Sequence, residues 1–197
     1  LSSGGLVWSG NARPIPQVRA GFIDFVDIPF TKGWVQIKGE LAYGKFMDND
    51  FLRDHYNYYN QYITTDALYH HKSISFRSNP DKPFVVTIGA ELAAQFGGTK
   101  RYYEKGILID SLTMKSPTRL KDFFKILFPS SGDGQTNEGD QAYYYGNHVG
   151  QWNLSAEYRF KDNSSVRGYF EWYFDDASGM GKFNGWDGLW GLEYKSG

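Results

Sequence analysis

Period-two alternation runs through most of this chain. More than any other feature, it restricts the chain to a β fold with one apolar and one polar face. Residues 34–43 place Val35, Ile37, Leu41 and Tyr43 on one side and Gln36, Lys38 and Glu40 on the other. Successive side chains of a strand point to opposite faces, so this pattern predicts a strand. Residues 84–96 repeat it, with Phe84, Val86, Ile88, Ala90, Leu92, Ala94 and Phe96 against Thr87, Glu91 and Gln95. Residues 150–160 set Trp152, Leu154, Ala156, Tyr158 and Phe160 against Asn153, Ser155, Glu157 and Arg159. Residues 166–174 set Val166, Phe170, Trp172 and Phe174 against Arg167, Tyr169, Glu171 and Tyr173. Weaker candidate strands lie at 17–26, 69–78 and 189–194.

The connections between these segments alternate in length. The short ones are 27–33, with Pro29 and Gly33, then 79–83 and 161–165. They carry turn chemistry, because proline presets φ and asparagine or aspartate tolerates turn geometry. The long ones span roughly 45–68, 97–149 and 175–188. All short turns therefore fall at one end of a sheet and all long loops at the other. Outer-membrane barrels sort their loops this way. A Greek-key sandwich has no reason to. A soluble sandwich or small barrel with a packed apolar core would also alternate, and it stands as the competing reading.

The apolar face has aromatic ends and an aliphatic centre, as membrane barrels do. Twelve steps from Phe84 to Phe96, at about 3.3 Å each and tilted about 45°, project to roughly 28 Å. The apolar band of such barrels is about 25 Å tall. The opposite face carries Lys38, Glu40, Glu91, Glu157, Arg159, Arg167 and Glu171, which are expected to line a wet lumen. Seven strands cannot close a barrel of even strand number, and open edges in lipid leave backbone groups unpaired. Residues 1–197 thus read as one domain, part of a larger all-β, antiparallel, up-and-down transmembrane barrel from which strands are missing.

Composition fits. Lys and Arg number 21 against 22 Asp and Glu, without the basic excess that a general nucleic-acid binder needs. No stretch approaches the roughly 20 apolar residues of a helical span. An average hydropathy typical of soluble proteins is also what alternating barrel strands produce. With no Cys, disulfides, zinc–thiolate sites and Cys nucleophiles are excluded. The chain opens on Leu1, without Met or a signal peptide, and a fragment or processed product is expected.

One helix is predicted over 118–128, inside the longest loop. Leu120, Phe123, Phe124 and Leu127 follow helical spacing, Ser116 and Pro117 suit its start and Pro129 stops it. It is expected to pack on the barrel mouth and narrow it.

Several strings carry a resemblance. They are Trp8 through Gln17, Asp122 to Lys125, Pro129 to Gly132, Glu138 to Gln141, Tyr145 to Gly150 and Gly185 through Tyr194. In order and spacing the chain resembles the Wzi family of capsule-assembly proteins, in the version common in Bacteroidetes. The resemblance implies a large outer-membrane barrel with a periplasm-side helical plug. It also implies a non-catalytic, lectin-like role in attaching and organising capsular polysaccharide outside a Gram-negative cell. The implied partners are that polysaccharide and outer-membrane lipid, with no cofactor, for a monomeric barrel whose loops face the exterior. No assigned sugar-contact residue carries over.

Candidate sugar contacts follow from chemistry. Sugars need aromatic faces beside carboxylates or amides. Trp186, Asp187 and Trp190 supply these, although tryptophans there also suit an interface anchor. Tyr56, Tyr58, Tyr59 and Tyr62, with Asn57, Asn60 and Gln61, form a second candidate, set against self-packing of a long loop. Asp48, Asp50 and Asp54 lack the spacing of an EF-hand and read as a solvated acidic loop, so no metal is expected. His70 and His71 are adjacent, so a strand points them to opposite faces. Glu91, Glu157 and Glu171 beside Arg159 and Arg167 read as a salt-bridge ladder rather than paired catalytic carboxylates. Nucleophile-elbow and phosphate-cradling motifs are absent. A porin passing polar solutes is the first alternative, and an outer-membrane lipid hydrolase using His148 the second.

Overall fold

The computed structural model describes residues 14–47, 49–127, 147–175 and 185–197. Seven long strands make the main sheet. In chain order they are β1 (Gln17–Asp27), β2 (Val35–Lys45), β4 (Leu68–Ser78), β5 (Phe84–Phe96), β9 (Asn147–Arg159), β10 (Ser165–Phe174) and β11 (Leu189–Lys195). The intervening segments hold α1 (Phe51–Tyr56), β3 (Gln61–Thr65), β6 (Thr99–Glu104), β7 (Ile107–Leu108), β8 (Met114–Lys115) and α2 (Leu120–Lys125). The long loops thus carry more regular structure than the one helix predicted for them.

Spatial order in the main sheet is β1-β2-β4-β5-β9-β10-β11, and every neighbouring pair is antiparallel. Among these strands the chain never skips a neighbour, so the sheet is an up-and-down meander. The tight turns all close one end. There Asp81 donates its N–H to Asn79 Oδ1 at 2.8 Å, and Ser164 donates its own to Asp162 Oδ1 at 3.0 Å. These side-chain mimics of a backbone turn are why Asn and Asp stand at those positions. The Ser164 hydroxyl and N–H also hold the Asp162 carboxyl below its usual range. The three long connections leave from the opposite end.

Register places the alternating residues as their period predicts. One row across the sheet reads Ile37, Phe76, Ile88, Leu154, Phe170 and Trp190; another, on the other face, reads Lys38, Ser75, Gly89, Asn153 and Glu171. Burial is the reverse of a soluble sheet. On the apolar face Ile88 is 48% exposed, Leu154 41% and Leu192 79%, whereas on the polar face Gln151 is 2% and Glu171 5% exposed. At the short-turn end Phe84, Tyr158, Phe160 and Tyr194 form an exposed aromatic rim, with Tyr158 edge-on to Phe160 at 4.9 Å.

The opposite rim differs from expectation. Phe96 is buried rather than exposed, because α2 lies over it on the apolar face. Ile126, just past α2, is fully buried and packs with Ala94 and Phe96, flanked by Tyr43, Leu68 and Phe123. Two strand residues hold this segment. The Tyr43 hydroxyl donates to Phe123 O at 2.7 Å, and the Lys72 ammonium donates to the carbonyls of Ile126 and Leu127. A cation at these C-terminal carbonyls satisfies acceptors that a helix end leaves free.

The prediction of a helix over 118–128 narrowing the mouth is corrected on three counts. The helix is shorter, and it docks on the apolar face rather than across the polar one. Its inward residues are Asp122, Phe123 and Ile126, of which only Phe123 belongs to the predicted stripe, while Leu120 and Phe124 are largely exposed. Ser116 does not start it: the Ser116 N–H donates to Gly98 O at 3.0 Å, which ties the segment after β8 to the residue just before β6. Tyr43→Phe removes one hydrogen bond, worth about 1 kcal/mol. Hydrogen exchange at the Ile126 amide, which bonds to Asp122 O, is expected to speed up about fivefold. Unchanged exchange would mean that the bond does not hold α2 down.

The second sheet is β3-β6-β7, with β8 also on β6. Its main pair continues β4 and β5 beyond the long-loop end. Gly97 (φ 65) and Gly98 (φ 85), facing Asp66 (φ 57), break the two strands between the sheets. Positive φ at consecutive positions is the conformation glycine supplies most readily. A Cβ on Gly98 would lie 2.8 Å from Thr65 O.

Candidate functional site

Where β2 runs out and the second sheet rises, the chain encloses a polar cleft of about 400 Å³. One wall is the face of β3 and β6 that carries Ile63, Thr65, Arg101 and Tyr103. Strand alternation puts these four on one side, since Ile63 pairs with Arg101 and Thr65 with Thr99. The facing wall comes from Lys45, Phe46 and Met47, and from Asn49, Asp50 and Arg53 at the start of α1. Asp66 closes the corner between the sheets.

Charge in the cleft is mostly matched. Lys45 Nζ stands 2.6 Å from Asp66 Oδ1, and Arg53 lies 3.2 Å from Asp50 and 3.0 Å from Asp54. The Lys45 ammonium, with Arg101 contributing, holds the Asp66 carboxyl below its usual range. These pairs are solvent-exposed, so each adds little to stability; what they do is orient polar groups around a wet cavity. Arg101 Nη1 donates to Thr65 Oγ1 at 2.5 Å.

None of the residues singled out for sugar binding lines this cleft. Tyr62 is on the opposite face of the second sheet, where it meets Tyr102 edge-on at 5.0 Å and lies under the Lys100 ammonium. Tyr56 contacts Phe51 and Tyr59, and Tyr58 is exposed. Trp186 and Trp190 stand on the apolar face. Trp190 stacks on Phe170 at 3.9 Å and donates its indole N–H to Trp186 O at 3.1 Å. Asp187 is exposed between them. Asp48 lies outside the described residues, while Asp50 and Asp54 both pair with Arg53.

The polar face carries a chain of charges. Glu40 accepts from Arg19 and lies 3.3 Å from His71 Nδ1, and His71 Nε2 lies 3.9 Å from Glu91. Further along, Glu157 pairs with Arg159 at 3.1 Å, and Arg167 pairs with Glu193 at 3.3 Å. Lys38 and Glu171 share this face. His70 sits on the other face, its ring 4.5 Å from Tyr43, in the row that leads through Ala94 to a buried His148. The two adjacent histidines therefore do point apart.

The sequence reading missed Lys45, Asp66, Arg101 and Tyr103. The sequence feature that could have pointed to them is the Gly97-Gly98 pair, which marks the break from which the second sheet rises. Compared with known proteins, the chain matches no family model, no curated protein and no solved structure.

Proposed function

We propose that this chain is part of an outer-membrane β-barrel that binds or organises capsular polysaccharide, without catalysis, through its long-loop end. The observation that carries the reading is the sheet's reversed burial. At mid-sheet His71, Gln151 and Glu171 on the polar face are buried while Ile74, Ile88 and Leu154 on the apolar face are exposed, an arrangement suited to acyl chains outside and water inside. The exposed aromatic rim at the short-turn end supports the same orientation, because aromatic side chains favour the interface of a bilayer.

Polysaccharide enters through the cleft. Its lining is polar and charged, with Asn49, Thr65, Arg53 and Arg101 offering donors and acceptors, and it opens at the end where the long connections gather. Such a site suits a ligand rich in hydroxyls better than an apolar one. The Trp186 and Trp190 pair, set on the apolar face, belongs to lipid anchoring in this reading.

Titration of the intact barrel that contains this chain, reconstituted in phospholipid vesicles, with purified capsular polysaccharide tests this. Saturable binding is expected. Met47→Trp, which fills the cleft mouth from an exposed position, is expected to weaken it by about tenfold, roughly 1.4 kcal/mol. Trp186→Ala is expected to leave it unchanged. Absence of binding, or equal binding by the Met47→Trp protein, overturns the proposal.

A further inference from the structure

We infer that the cleft selects an acidic glycan and that Arg101 receives its carboxylate. The inference rests on the reading of the cleft as a polysaccharide site and names the class of sugar it takes.

The argument is one of charge matching. Three cations and two carboxylates line the cleft, and Asp54, just outside the lining, also pairs with Arg53. Lys45 is taken by Asp66 and Arg53 by Asp50, each within ion-pair distance. Among the described residues Arg101 makes no ion pair, although its charge acts on the Asp66 carboxylate from beyond pairing distance. Among the described residues its side chain makes one hydrogen bond, to the neutral Thr65 hydroxyl. A guanidinium has five N–H donors in a planar fork, and that fork matches a carboxylate in two parallel hydrogen bonds. One N–H fixed on Thr65 orients the fork before a ligand arrives, which reduces the ordering cost of binding.

Position agrees with charge. Arg101 sits mid-strand on β6, paired with the buried Ile63 and next on its face to the buried Tyr103. Its backbone is therefore held by the sheet rather than by a loop. Phe46 is partly exposed and braced edge-on by Tyr69 at 5.6 Å. Phe46 and Arg101 both line the cleft, so it offers an aromatic surface for the apolar face of a sugar ring as well as a fork for its carboxylate. A hexuronate residue presents both.

Three probes test this with the intact barrel that contains this chain, reconstituted in phospholipid vesicles: an oligogalacturonate, its methyl ester and inorganic phosphate. The ester keeps the sugar backbone and removes the charge. Wild-type protein is expected to bind the acid more tightly than the ester, on the order of tenfold, with the preference shrinking as salt is added. Arg101→Gln, which keeps a donor for Thr65, is expected to abolish the preference and leave ester binding in place. Arg101→Lys, a point charge without the fork, is expected to retain only part of it. Equal affinity for acid and ester, or a preference that survives Arg101→Gln, overturns the inference while the polysaccharide reading stands. Phosphate competing as well as the oligogalacturonate reassigns the cleft to free oxyanions and overturns it too. Binding of no probe overturns both.

Discussion

Ile88→Arg is expected to lower the folding free energy of the intact protein that contains this chain, reconstituted in phospholipid vesicles, by about 2–4 kcal/mol. Ile88 stands in the row between Phe76 and Leu154, and about half of its surface is open. No second layer of protein covers it among the described residues. If water met this face, arginine would be well tolerated, because surface substitutions change stability by only about 0.5 kcal/mol. Against acyl chains the guanidinium is stripped of water at the depth where that costs most. The two environments therefore predict effects that differ severalfold, and urea titration of vesicle-folded protein separates them. Lys38→Gln, on the polar face, serves as the internal control and is expected to change stability by less than about 0.5 kcal/mol. A small effect at both positions would place water on both sides of the sheet, and the membrane reading would fall.

The strands were legible because a half-buried strand writes its face into the sequence at every second residue. Strand β5 begins at Phe84 and ends at Phe96, as its alternation predicts, and the weak segments at 17–26, 69–78 and 189–194 all proved to be strands. Alternation cannot say which face is occluded; loop sorting and the aromatic ends pointed to the polar one. The helix was legible in existence but not in orientation. Leu120 and Phe124 follow helical spacing, yet six residues give the packing partner freedom to choose a face. Tyr43 and Lys72, from two different strands, hold the carbonyls of Phe123 and Ile126, and Asp122, Phe123 and Ile126 turn inward. The cleft was illegible for another reason. Lys45 ends one strand and Arg101 sits in another, and only the second sheet brings them to one cavity. No local period encodes that meeting. Aromatic abundance drew attention to Trp186 and Trp190, whose rings stack with Phe170 on the apolar face.

Tyr169 and Gly191 carry the second large expectation. They pair directly between β10 and β11 on the polar face, and Tyr169 is buried there. A Cβ added to Gly191 would lie 1.9 Å from Tyr169 Cζ, so the ring lies flush against the glycine. Glycine alone weakens a strand, since it brings no side chain to pack and loses much backbone freedom. An aromatic ring laid across it from the next strand restores the missing contact. Arg167, two residues before, adds its guanidinium at 5.7 Å from the ring centre. Tyr169→Ala is expected to cost about 3–5 kcal/mol, the range for removing a large buried aromatic side chain. Gly191→Val is expected to cost about 1–3 kcal/mol by overpacking, because the ring must leave its place. The two changes should not add. With Tyr169→Ala already made, the space above residue 191 is open and a β-branched side chain suits a strand. Gly191→Val should then be neutral or stabilising. The coupling in a double-mutant cycle is expected to exceed about 1 kcal/mol. Simple additivity would show that the ring and the glycine do not act as one unit, and β11 would have to be held by its backbone ladder alone.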